Sequence, residues 1–191
     1  DSGGAADVVA IVTTTDFINL PVTSLDDIEQ IRFAGSNQTG TFTGAQLTGE
    51  TLLLTETAAG TSNLIINVGS GTTATFTNMS ASTFTSGSDT ITINGTTGNE
   101  TITGPNLVST INGGDGVDTI DGGDGADTLV GGNGDDVYLF NTNDVDAGET
   151  ITDSGGAADV VAIVTTTDFI NLPVTSLDDI EQIRFAGSNQ T

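Results

Sequence analysis

The chain has 191 residues and a formal net charge of −24, with 26 acidic residues against two basic ones and neither histidine nor cysteine. Nothing in it neutralises phosphate, so nucleic-acid binding is excluded; an anionic membrane surface would repel it, and no disulfide can staple it. No stretch approaches the roughly 18 apolar residues of a membrane span, and the natural partners of so many acids are cations, because unneutralised they repel one another and oppose a compact state.

Residues 1–39 recur without one change at 153–191, an offset of 152 residues. The chain is expected to be a window on a longer tandem array. Between the copies, Thr-, Val- and Ile-rich runs alternate with Gly, Ser and Asn turns: VVAIV (8–12), IEQIRF (28–33), TFTGAQL (41–47), TLLLTET (51–57), NLIINV (63–68), ATFTNM (74–79) and DTITIN (89–94). They predict an all-β chain. SLDDIEQI (24–31), with Ser24 as a cap, is the one place that suits a helical turn. Residues 1–83 form a β-rich segment compatible with solenoid coils or with a small sandwich.

From residue 84 an apolar side chain recurs every nine positions: Phe84, Ile93, Ile102, Ile111, Ile120, Leu129 and Tyr138. Within this stretch, 84–140, residues 113–139 read GGDGVDTID, GGDGADTLV, GGNGDDVYL. Glycines let the backbone turn and aim carbonyls inward, and the sixth position adds a charged oxygen from Asp118, Asp127 or Asp136. Carbonyls mixed with carboxylates suit a hard cation that takes six to eight oxygens, which points to calcium. Upstream, GTTGNETIT (95–103) and GPNLVSTIN (104–112) keep the length but place Glu100 and Ser109 at the sixth position. Residues 141–152 are expected to link this run to the next period at 153–191. There, Asp153 and GGAADVV (155–161) resemble a calcium unit one residue short, offering Asp159, with Asp7 as its counterpart in the first copy.

The three nonapeptides resemble the RTX (repeats-in-toxin) calcium-binding family of bacterial exoproteins. The resemblance implies a right-handed parallel β-roll or β-solenoid with two nonapeptides per turn, so that residues 18 apart stack. Ile102, Ile120 and Tyr138 would form one column and Ile93, Ile111 and Leu129 the other. Calcium ligands would come from Asp118, Asp127 and Asp136 and from the turns at 113–116, 122–125 and 131–134, which contain Gly113, Asp115, Gly122, Asp124, Gly131 and Asn133. Asp118 with Asp136 makes the best pair and Glu100 with Asp118 a poorer one. Asp127, whose upstream neighbour Ser109 is uncharged, would look forward to Asp144 or Asp146. The position-3 acids Asp115 and Asp124 are expected to face solvent.

The family further implies type I secretion, disorder at low cytosolic calcium and folding outside the cell. The chain lacks His, Cys, Lys and Trp, and the adjacent acids Asp26 and Asp27 read as solvated turn residues, so no catalysis is expected. The expected function is a calcium-stabilised structural repeat of a large secreted bacterial surface protein, forming a stalk, filament or surface layer by self-association. Two alternatives stay open: an adhesin repeat that binds a host or glycan ligand, and the secretion and folding module of an RTX exoenzyme.

Overall fold

The computed structural model describes residues 6–21, 25, 28–84, 88–142, 144–164, 177 and 179–185. Short strands with alternating burial build three sheets, and every strand pairing is parallel. One sheet holds β1 (Val8–Ile11), β3 (Gln30–Phe33), β5 (Leu52–Glu56) and β8 (Met79–Ala81). A seven-stranded sheet holds β2 (Thr15–Asp16), β4 (Thr39–Thr43), β6 (Asn63–Asn67), β9 (Thr90–Thr96), β11 (Thr110–Asp115), β13 (Thr128–Asn133) and β15 (Thr150–Thr152). The third contains β7 (Thr73–Thr75), β10 (Thr101–Thr103), β12 (Thr119–Asp121), β14 (Val137–Phe140), β16 (Val160–Ile163) and β17 (Gln182–Phe185). Successive strands of each sheet lie one coil apart, so the chain winds as a β-solenoid.

Residues 1–83 supply the first coils of this stack. The β6–β9 pairing carries the seven-stranded sheet across the expected boundary, so the sandwich alternative gives way to the coil. Coil length varies along the stack. Hydrogen-bonded partners lie 22 residues apart at the start (Asp7 and Glu29), 27 apart at Asn63 and Thr90, and 18 apart through the nonapeptides. The long coils fall where the first sheet ends at β8 and the third begins at β7, which requires a third side to the coil.

One further expectation is corrected, and another lies largely outside the described residues. TFTGAQL is not one strand: β4 stops at Thr43, and Gly44–Leu47 form a single turn of α-helix. The Thr43 N–H donates to Gln46 Oε1 (2.8 Å), and Gln46 Nε2 donates to the carbonyls of Phe17 and Leu20, so the amide of Gln46 diverts the backbone from the sheet. The helical turn expected at 24–31 has Ser24, Asp26 and Asp27 outside the described residues, and its end, Gln30 and Ile31, lies in β3.

The core is a set of apolar columns. Ile93, Ile111, Leu129 and Ile151 stack in register in one sheet, and Ile102, Ile120, Tyr138 and Val161 in the opposite one. All are buried, each aliphatic contributing roughly 1.5–3 kcal/mol by leaving water. Between strands, outward Thr and Asn side chains add a second ladder, with Asn112 Nδ2 donating to Asn94 Oδ1 (2.9 Å) and Asn94 Nδ2 to Asn67 Oδ1 (3.2 Å).

Among the described residues, one strand pair of the duplicated segment keeps the same register in both copies. Val8 pairs with Gln30 in β1–β3, and Val160 pairs with Gln182 in β16–β17. The surroundings differ. At β1 the residues Val8 and Ala10 are exposed, whereas all four residues of β16 are buried because β14 lies alongside. Conversely, Ile31 and Phe33 are buried beneath β5, while their copies Ile183 and Phe185 are 51% and 60% exposed. Residues 141–152, expected to be a linker, carry β15 paired with β13 and are a coil of the same stack.

Candidate metal centre

Each turn of the nonapeptide run leaves a strand, passes two left-handed glycines and delivers its sixth residue inward. Gly134 shows why glycine is needed: its φ is +132°, and a Cβ there would collide with the Gly116 carbonyl of the preceding coil. The first glycine of each unit has another role. A Cβ at Gly113 would lie 2.5 Å from Asp118 Oδ2, one at Gly122 would lie 2.6 Å from Asp127 Oδ2, and one at Gly131 would collide with Asp136 Oδ2. These glycines keep open the space into which the carboxylates point.

The acids form two ladders. On one edge the Glu100 N–H donates to Asp118 Oδ1, that of Asp118 to Asp136 Oδ1, and that of Asp136 to Asp159 Oδ1, each at 2.7 Å; the Asp159 N–H donates to Glu181 Oε2 at 2.8 Å. On the other edge Ser109 donates to Asp127 Oδ1 through both N–H (2.7 Å) and Oγ–H (3.0 Å), and the Asp127 N–H donates to Glu149 Oε2 (3.1 Å). One carboxylate oxygen per residue thus ties its coil to the one before. The other is left over: Asp118 Oδ2, Asp127 Oδ2, Asp136 Oδ2 and Glu149 Oε1 are buried with no hydrogen-bond partner.

Such oxygens are costly as anions. Burial above all pushes the Asp127 and Asp136 carboxyls up to about 7, and burial followed by the Asp127 charge pushes Glu149 up to about 9. Burial likewise raises Asp118, Asp144 and Asp159, and takes Asp121 up to about 6 with help from Asp144. Burial and the neighbouring Asp153 keep the Tyr138 hydroxyl protonated. Orphaned carboxylate oxygens, turn carbonyls lying between coils and an absence of basic side chains from both ladders together fit a hard divalent cation with oxygen ligands.

The structure sorts the sequence candidates. Asp118, Asp127 and Asp136 are fully buried, and Glu100 is 1% exposed in the Asp118 ladder. Asp115, Asp124 and Asn133 are exposed, with Asn133 Nδ2 donating to Asp115 Oδ1 (2.7 Å) outside the coil. Asp144 and Asp146 reach the Asp127 edge, where Asp146 Oδ2 accepts from the Gly125 N–H (3.0 Å) and Asp144 accepts from Asn141. The carboxylate stacked on Asp127, however, belongs to Glu149. Sequence reasoning missed it because the coil there lengthens to 22 residues and breaks the nine-residue count. Asp159 continues the other ladder, and half-buried Asp7 makes the same contact with Glu29 that Asp159 makes with Glu181. Asp153, which the sequence places with GGAADVV in a calcium-like unit, is buried near Asp136 and Asp159.

Comparison with known proteins matches residues 109–138 to the RTX calcium-binding nonapeptide repeat, in four copies. No curated protein and no solved structure matches the chain. The nonapeptide run at the centre of this solenoid belongs to the RTX calcium-binding repeat family, and its cofactor is calcium.

Proposed function

We propose that the chain is a calcium-stabilised structural repeat of a large secreted bacterial surface protein, in which consecutive periods form one unbroken solenoid that serves as a stalk, filament or layer element. The observation that carries this is the duplicated segment. β16 stacks on β14, β17 stacks on β16 in the register that β1 and β3 share, and the stacking buries all of β16. Calcium is held by the buried sixth-position acids Asp118, Asp127 and Asp136, with Glu100 and Glu149 completing the ladders and the turns at 113–116, 122–125 and 131–134 supplying carbonyls. Bound there, the ion supplies positive charge between coils whose acids otherwise repel. An extracellular module binds calcium at about 0.1–1 mM, and at ten times the dissociation constant each independent site adds about 1.4 kcal/mol to folding. The same arithmetic favours an unfolded chain in a low-calcium cytosol and a folded one after export. No His, Cys or Lys offers a nucleophile or proton relay beside the ladders, which supports a non-enzymatic role.

The test is electron microscopy of a chain of three periods in calcium. Seven coils per period, spaced about 4.8 Å apart, should lengthen a single stiff rod by on the order of 34 Å per period. Globules joined by gaps of varying length would contradict it. An adhesin role has one observation in its favour. Where the first sheet ends, a groove of about 440 Å³ opens between Phe84, Ile91, Leu107 and Val108, with Asp89 and Asp124 on its rim. Saturable binding of a glycan, abolished by Leu107→Asp, would favour that role.

A further inference from the structure

Asp136, Asp153 and Asp159 each offer a carboxylate oxygen within 4.8 Å of the others, and all three are buried. Asp136 is the last sixth-position acid of the nonapeptide run. Asp153 and Asp159 belong to the next period, as the copies of Asp1 and Asp7. The hydrogen bonds leave one carboxylate oxygen among them without a partner. Asp136 Oδ1 is taken by the Asp118 N–H and Asp159 Oδ1 by the Asp136 N–H, while Asp136 Oδ2 has no partner. Gly131 packs against that oxygen and against the Tyr138 hydroxyl so closely that a Cβ there would collide with both. The hydroxyl accepts from the Gly131 N–H (2.8 Å) and donates to Asp153 Oδ2 (2.8 Å), and Asp153 Oδ1 accepts from the N–H groups of Ser154 and Gly155. Asp153 is therefore held in place from both sides. Tyr138 stands in a column otherwise occupied by Ile102 and Ile120, so a polar tip enters the core only where the next coil brings Asp153 to meet it.

Three buried carboxylates with no basic partner and one orphaned oxygen demand a cation with oxygen ligands. We infer that Asp136, Asp153 and Asp159 form a calcium site that joins the nonapeptide run to the repeated segment that follows it. The site rests on the continuous-stack proposal above. It makes calcium a bond between the end of the nonapeptide run and the next coil, and one such site recurs with each 152-residue repeat.

Tyr138 reports on it directly, because the chain has one Tyr and no Trp. Terbium(III), a hard oxygen-seeking stand-in for calcium, is titrated into the 191-residue chain with excitation of tyrosine. The expected result is sensitised terbium emission that calcium displaces. Asp153→Asn should weaken the apparent affinity of that signal at least tenfold with an unchanged circular-dichroism spectrum. Asp159→Asn serves as the second variant should Asp153→Asn alter the fold. Asp16→Asn removes the same charge from an exposed residue outside the ladders and should leave the signal unchanged. Emission that survives both Asp153→Asn and Asp159→Asn with unaltered affinity overturns the junction site. So does terbium binding seen only by direct excitation, although calcium stapling within the period would stand. A chain that binds neither terbium nor calcium overturns both proposals.

Discussion

Asp127 lies fully buried with one oxygen satisfied by Ser109 and the other by nothing. Without a cation that oxygen costs stability, and with one it becomes a ligand, so one substitution should have opposite effects in the two conditions. At pH 8, Asp127→Asn should raise the unfolding midpoint in chelator and lower stability by about 1.4 kcal/mol at calcium ten times the dissociation constant, as read by urea unfolding. An unchanged midpoint in calcium would mean that Asp127 holds no ion. The same burial sets a pH dependence. The folded chain keeps protons on Asp127 and Asp136 up to about 7 and on Glu149 up to about 9, whereas an unfolded chain releases them near about 4. Between those values the folded state binds more protons, so stability falls as pH rises and the loss is complete above the folded values. Melting in chelator should therefore occur at lower temperature at pH 9 than at pH 5, and calcium, which replaces the protons, should abolish or invert the trend. A melting temperature in chelator that climbs with pH would contradict this. Asp118, Asp127 and Asp136 were legible in the sequence because a carboxylate at a fixed place in a glycine turn has little other use. Glu149 was not, because it sits in a longer coil where counting by nines fails.

At the scale of the element, stacked turns depend on backbone approach more than on side chains. Gly134→Ala puts a Cβ into the Gly116 carbonyl and should prevent the turn from closing, with loss of calcium-dependent β signal in circular dichroism. Gly49 has φ +78° with nothing within 4 Å of an added Cβ, so Gly49→Ala should cost only the left-handed backbone term of about 1–2 kcal/mol. Equal effects would mean that close stacking is not what selects glycine in the run. The apolar columns could be read in advance from their nine-residue spacing, which two strands per 18-residue coil require. The turn of helix at Gly44–Leu47 could not, since it depends on Gln46 reaching Phe17 and Leu20 in another coil, a contact without a local sequence signature. Two-residue β2 was likewise too short to register as a strand.

For the whole molecule, the exact repeat says that periods recur but not whether they are beads or a continuous stack. The continuous stack proposed above is supported by the pairing of β16 with β14. Val8 is 36% exposed and Val160 6%, because only the latter has β14 beside it. In the proposed stack 26 acids face only two basic residues, and in that proposal its cohesion is assigned to calcium. The most direct measurement is a calcium titration of the 191-residue chain followed by far-ultraviolet circular dichroism and calorimetry at neutral pH. Cooperative growth of β signal at sub-millimolar to millimolar calcium, reversed by chelator and weakened by Asp118→Ala with Asp136→Ala, is the expected result. A chain fully folded in chelator, with a melting temperature indifferent to calcium, would contradict the central claim that calcium between coils holds this solenoid together.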